Sequence, residues 1–118
     1  MPAAADDRIE LLLADGRWLA VCDYRDLEPG HGATVLLPGG QQAALFRTGG
    51  GEVHAVDNLD PYSGARVLAD GIVGDRAGAP TVTSPMHKQV FDLRTGASLD
   101  EPDAAERRLT VHQVRVGS

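Results

Sequence analysis

The chain has 118 residues, enough for one domain spanning 1–118 and too few for two with separate cores. Its formal charge is −6, and it contains no basic run, which argues against nucleic acid or an anionic membrane surface as a partner. Aromatic residues make up only 4%, so the core must come mainly from Val, Leu, Ile and Ala, while 14 glycines and seven prolines favour short strands and many turns.

The opening stretch, MPAAADDRIELLLADG, has neither a positively charged start nor an apolar run beyond LLLA. It reads as neither a secretory signal nor a membrane span, and the cytoplasm is the expected compartment. Residues 1–14 are expected to be a loosely ordered N-terminal segment, with RIELLLADG forming at most one short helix. RWLAVCD (17–23) is apolar on both faces and is expected at the centre of a sheet. ATVLL (33–37) and QQAALFR (41–47) flank Pro38-Gly39-Gly40 and read as a two-stranded hairpin. EVHAVDN (52–58), APTVTSP (79–85), KQVFDL (88–93) and LTVHQVRV (109–116) read as further strands, with RTGASL (94–99) as a hairpin end. In the last strand Leu109 and Val111 lie in one phase and Val114 and Val116 in the other, which a bulge near Gln113 would reconcile. EPDAAERR (101–108) reads as a polar surface loop. The expected fold is all-β: a small antiparallel sandwich or barrel with two apposed loops and at most one short helix.

The single cysteine, Cys22, can form no internal disulfide and cannot by itself supply the thiolates of an iron–sulfur cluster. Its strand-like setting suits a buried, inert thiol. His31 lies in a glycine-flanked turn, and His54 and His112 lie in expected strands; structural or surface roles fit all three. No phosphate-binding loop opens a helix, and motifs for NAD(P)H or flavin are absent. No catalytic or cofactor-binding residue is therefore assigned, and catalysis has to belong to a partner.

Two loops stand apart, DPYSGA (60–65) and SPMHKQVFDLRTG (84–96). Each follows a strand, and each spaces polar side chains between turn-forming residues. Their frame resembles that of the Rieske ferredoxins, through Pro61, Gly64 and Ala65 in the first loop and Pro85, Phe91, Asp92, Leu93, Thr95 and Gly96 in the second. The resemblance implies a Rieske-like fold. It also places Asp60, Tyr62 and Ser84 where that family has cysteine, histidine and cysteine, and leaves only His87 matching a ligand. An aspartate, a phenol and a hydroxyl do not replace two thiolates and an imidazole. No metal site is expected, and these four are vestigial ligand positions.

Over nearly its whole length the chain resembles the small subunits of assimilatory NAD(P)H-dependent nitrite reductase, through NLDPYSGARVLADGIVGDRAG and SPMHKQVFDLRTG. Lys88 and Gln89 belong to this second pattern. The resemblance implies a subunit without a redox cofactor of its own. Its large-subunit partner would carry flavin (FAD), an iron–sulfur cluster and sirohaem, and would reduce nitrite to ammonium. Asp60, Ser84 and His87 are then expected to hydrogen-bond to one another, with Tyr62 filling vacated volume. Tyr62, Lys88 and Gln89 are candidate docking residues, since loops on a rigid scaffold commonly carry binding. The alternatives are a clusterless Rieske-like accessory domain of another oxidoreductase, or a mononuclear metal-binding protein using Asp60, Tyr62 and His87.

Overall fold

The computed structural model describes residues 7–86 and 88–117. Among them are ten strands: β1 (Arg8–Leu12), β2 (Trp18–Asp23), β3 (Gly32–Leu36), β4 (Gln42–Arg47), β5 (Val53–Asp57), β6 (Ile72–Arg76), β7 (Ala79–Thr83), β8 (Val90–Asp92), β9 (Val111–His112) and β10 (Val114–Gly117). The only helical pieces among the described residues are single 3-10 turns. The strands form three antiparallel sheets, ordered β10-β1-β2, β3-β4-β5-β9 and β6-β7-β8. The all-β architecture expected from the turn-rich sequence is the one observed. No helix among the described residues is long and apolar enough to cross a membrane.

The four-stranded sheet buries β4 on both of its faces. Successive side chains on a strand point to opposite sides, and β4 is apolar in both phases. Ala43 and Leu45 join Ala55, Ile9, Leu11 and Leu27 in one core, while Ala44 and Phe46 join Val56, Leu68, Val82 and Phe91 in the other. Each fully buried Leu, Val or Phe contributes about 1.5–3 kcal/mol of transfer free energy. The second core lies under the two loops, so their bases stand on close-packed apolar side chains.

Several expectations are corrected. Residues 8–12 form neither a helix nor a loose segment. They make β1, the middle strand of its sheet, with Ile9 and Leu11 fully buried; residues 1–6 of that expected segment lie outside the described residues. The alternation of Ile9 and Leu11 against Arg8 and Glu10 is a strand period, which outweighs the helix propensity of a Leu-rich run. β2 is an edge strand, and Cys22 on it is half-buried. Burial raises the Cys22 thiol pKa above its ordinary value, and the Asp26 and Asp23 carboxylates add to the rise. The phase break at Gln113 is a change of sheet, since β9 pairs with β5 and β10 with β1. Strand β6 was not expected at all. It pairs with β7 across Ala77 and Gly78, whose φ values of 53° and 87° give both turn residues the left-handed backbone that a tight two-residue hairpin uses.

Candidate functional site

The first loop is built up from Asn58, which is 2% exposed at the end of β5. Its amide nitrogen donates to Gln42 Oε1 at 3.0 Å and to the Arg66 carbonyl at 3.3 Å, and its Oδ1 accepts from the Ala69 N–H at 2.8 Å. One buried side chain thus ties the outgoing strand to the returning limb. Between these limbs the Asp60 N–H donates to the Ala65 carbonyl, and the Gly64 N–H to the Asp60 carbonyl, both at 2.8 Å. Gly64 has a φ of 76°, which closes the turn at little cost for glycine.

Asp60 is fully buried, and its two carboxylate oxygens have different tasks. Oδ1 accepts from the Tyr62 N–H at 2.8 Å, an Asx turn that shapes its own loop. Oδ2 accepts from the Ser84 hydroxyl at 2.6 Å, crossing to the second loop, and Ser84 is also fully buried. Ser84 Oγ accepts in turn from the Met86 N–H at 3.3 Å, and the Ser84 N–H donates to the Gln89 carbonyl at 2.8 Å. The two loops are therefore joined through one charge-assisted hydrogen bond at their bases. The expected Asp60–Ser84 pairing is present; His87, expected to join it, lies outside the described residues.

Tyr62 reaches elsewhere. Its ring packs on Phe91 at a centroid distance of 6.0 Å, and its phenol donates to Glu101 Oε1 at 2.8 Å while sharing a 2.8 Å hydrogen bond with Ser98 Oγ. The Arg107 guanidinium lies 4.6 Å over the ring and donates to the Pro61 carbonyl at 2.9 Å. Burial raises the phenol pKa above its ordinary value; the Ser98 hydrogen bond opposes this, and the Glu101 and Asp100 carboxylates add to the rise. The segment expected to be a mere surface loop thus folds back on the first loop through Glu101 and Arg107. Sequence reasoning missed Ser98, Glu101 and Arg107, because their partner lies about forty residues away. The only local signal was an arginine set among acids in EPDAAERR.

Lys88 is exposed, with a φ of 63°, a left-handed backbone that costs a non-glycine residue about 1–2 kcal/mol. Gln89 is half-buried, and its Oε1 is buried with no hydrogen-bond partner among the described residues. The other histidines are occupied locally. His54 Nε2 is 3.1 Å from Glu52, His112 Nε2 is 2.8 Å from Asp57 Oδ1, and His31 Nδ1 is 3.1 Å from the Pro29 carbonyl. Among the described residues, no three His, Cys, Asp or Glu side chains converge as a metal site would require. The arrangement is one of fixed loops, with Ser84 fully buried and held between the Asp60 carboxylate and the Met86 N–H.

Comparison with known proteins gives a consistent result. Residues 17–118 match the model of the Rieske-like [2Fe-2S] domain family. The nitrite reductase (NADH) small subunit of Salmonella typhimurium is 36% identical over 86 residues, covering 72% of this chain and 79% of that one. A crystal structure assigned as the NADH-dependent nitrite reductase small subunit of Mycobacterium tuberculosis shares 41% identity and a TM-score of 0.69. That match covers 92% of this chain and 97% of the other. The nitrite reductase [NAD(P)H] large subunit of Klebsiella oxytoca is 43% identical over 90 residues; these are 76% of this chain but only 9% of that protein.

The [2Fe–2S] centre implied by the wider family does not fit the residues present. Such a centre needs two thiolates and two imidazoles. Here Asp60 spends both oxygens within the loops, and the Tyr62 phenol is held by Ser98 and Glu101. Ser84 offers a hard hydroxyl, and the one thiol of the chain sits on β2, beside the opposite core. The fold, the loop frame and the similarity over most of its length agree: the chain belongs to the Rieske-like domain family and, within it, to the nitrite reductase small subunits.

Proposed function

We propose that this chain is a non-redox subunit of an NAD(P)H-dependent nitrite reductase, docking on the large subunit and supporting its activity. The observation that carries this reading is the Klebsiella protein, in which a homologous segment lies inside a chain named as the large subunit. A domain covalently joined to a large subunit in one species is a natural non-covalent partner of it in another. The loop chemistry supports placing the redox work elsewhere, since Asp60, Tyr62 and Ser84 stand in place of two thiolates and an imidazole and already bond to their neighbours. Flavin (FAD), an iron–sulfur cluster and sirohaem then belong to the large subunit, which reduces nitrite to ammonium. Its dependence on NAD(P)H sets the complex in the cytoplasm.

The test is nitrite-dependent NAD(P)H oxidation by purified large subunit, with and without an equimolar amount of this chain. A higher rate, or a longer half-life of activity at raised temperature, is the expected result. A large subunit that neither binds the chain nor responds to it would overturn the reading.

A further inference from the structure

The 2.6 Å bond between Ser84 and Asp60 joins the two loops at their bases and so holds them side by side. The chain carries a formal charge of −6, yet residues 61–69 and 79–91 contain no aspartate or glutamate. Asp60, at the edge of the first stretch, is fully buried and turned inward to Ser84 and the Tyr62 N–H. The cations of these stretches are Arg66 and Lys88, the latter being the one lysine of the chain. Both are exposed, and neither side chain has a hydrogen-bond or ion-pair partner among the described residues. By contrast Arg17, Arg94 and Arg115 each pair with a carboxylate, and Arg107 is held over Tyr62. Beside the free cations stand two exposed apolar side chains, Leu59 at 44% and Met86 at 46%.

The tip also retains two costs that folding alone does not call for. Lys88 holds a left-handed backbone, and the neighbouring Gln89 Oε1 is buried without a donor among the described residues. Tyr62 is excluded as a contact through its hydroxyl, which is already engaged by Ser98 and Glu101.

We infer that this tip is the docking face of the chain, and that it takes an acidic surface with an apolar centre on the large subunit. The inference rests on the subunit assignment above. Leu59 and Met86 supply area to bury, and Arg66 and Lys88 supply sign. The two exposed cations also draw the tip toward such an acidic surface during approach. The buried Ser84–Asp60 bond keeps the tip in one shape, so less ordering entropy is lost on binding.

Binding of the full chain to purified large subunit, followed by titration at low and at physiological salt, tests this. Lys88→Glu and Arg66→Glu are compared with Arg76→Glu, an equal charge change on β6. Each tip variant is expected to weaken binding about tenfold at low salt, mainly through the association rate, with the deficit shrinking as salt screens it. Arg76→Glu is expected to stay within about twofold of the parent. Met86→Ala is expected to weaken binding at both salt concentrations, because its contribution is burial. Tip variants that bind like the parent, while the parent itself binds, would overturn the docking face and leave the subunit assignment standing. A parent chain with no affinity for the large subunit would overturn both.

Discussion

Removing the Ser84 hydroxyl leaves Asp60 Oδ2 buried without a donor, and a carboxylate in that position has no water to turn to. Ser84→Ala is therefore expected to cost about 1–3 kcal/mol in denaturant unfolding. Its second effect is local: the Met86 N–H loses its acceptor and the Asp60 carboxylate loses its bond to the second loop, so amides at both tips should exchange faster than in the parent while those of β4 and β5 do not. Unchanged exchange at the tips would show that the bond holds nothing together. Asp60 and Ser84 were legible as partners through the resemblance, which sets both at ligand positions of apposed loops, where a buried acceptor-only side chain needs a donor nearby. The Tyr62 contacts were not legible. A phenol can donate in many directions, and nothing in the spacing of DPYSGA selects Ser98 and Glu101.

At the level of elements, turns decide where strands can pair, and the glycines at turns are not equivalent. Gly96 has a φ of 80° and lies under β9, where an added Cβ would run into the Leu109 carbonyl oxygen, with Val111 Cγ2 at 3.2 Å. Gly78, in the β6–β7 turn, has a φ of 87° and nothing within 4 Å. Alanine at Gly78 should cost about 1–2 kcal/mol from the left-handed backbone alone. At Gly96 the same cost is joined by about 1–3 kcal/mol of overpacking, and the Leu109 N–H to Gly96 carbonyl bond of 2.8 Å is put at risk. Thermal melts of the two variants check the order; equal losses would mean that the segment at Leu109 yields freely. The strands that alternate or are bounded by Pro and Gly were readable from sequence, as β3, β4 and β5 show. β1 was misread because four leucine and isoleucine residues in RIELLL suit either period until β2 and β10 are present to pair with it. The centrality of β2 was misjudged for a related reason, since an apolar strand facing one core can carry Trp18 on its other side under the Arg115 guanidinium, 4.2 Å from the ring centroid.

For the whole molecule the consequence of a doubly buried strand β4 is cooperativity. Leu45 and Phe46 are neighbours on β4, both fully buried, yet they belong to different cores. Neither core can lose its packing without disturbing the strand that the other needs, and β10 closes the first sheet onto β1 from the far end of the chain. The expectation of one domain over 1–118 thus becomes a measurable statement about unfolding. Leu45→Ala is expected to cost about 2–5 kcal/mol and Phe46→Ala about 3–5 kcal/mol. Both should shift a single transition. Two reporters lie on opposite sides of the central sheet: Trp18, the one tryptophan, on the β10-β1-β2 sheet, and Tyr62 against the core that contains Phe46. In a Tyr24→Phe background, which leaves Tyr62 as the one tyrosine, tryptophan fluorescence should therefore follow Phe46→Ala as closely as near-ultraviolet tyrosine dichroism does, with coincident midpoints. Separate midpoints would divide the chain into two units, and the loop tip would then rest on only one of them. Coincident midpoints would mean that the tip and the chain ends share one stability, so that a partner binding the tip stabilises the β1–β10 pair in equal measure.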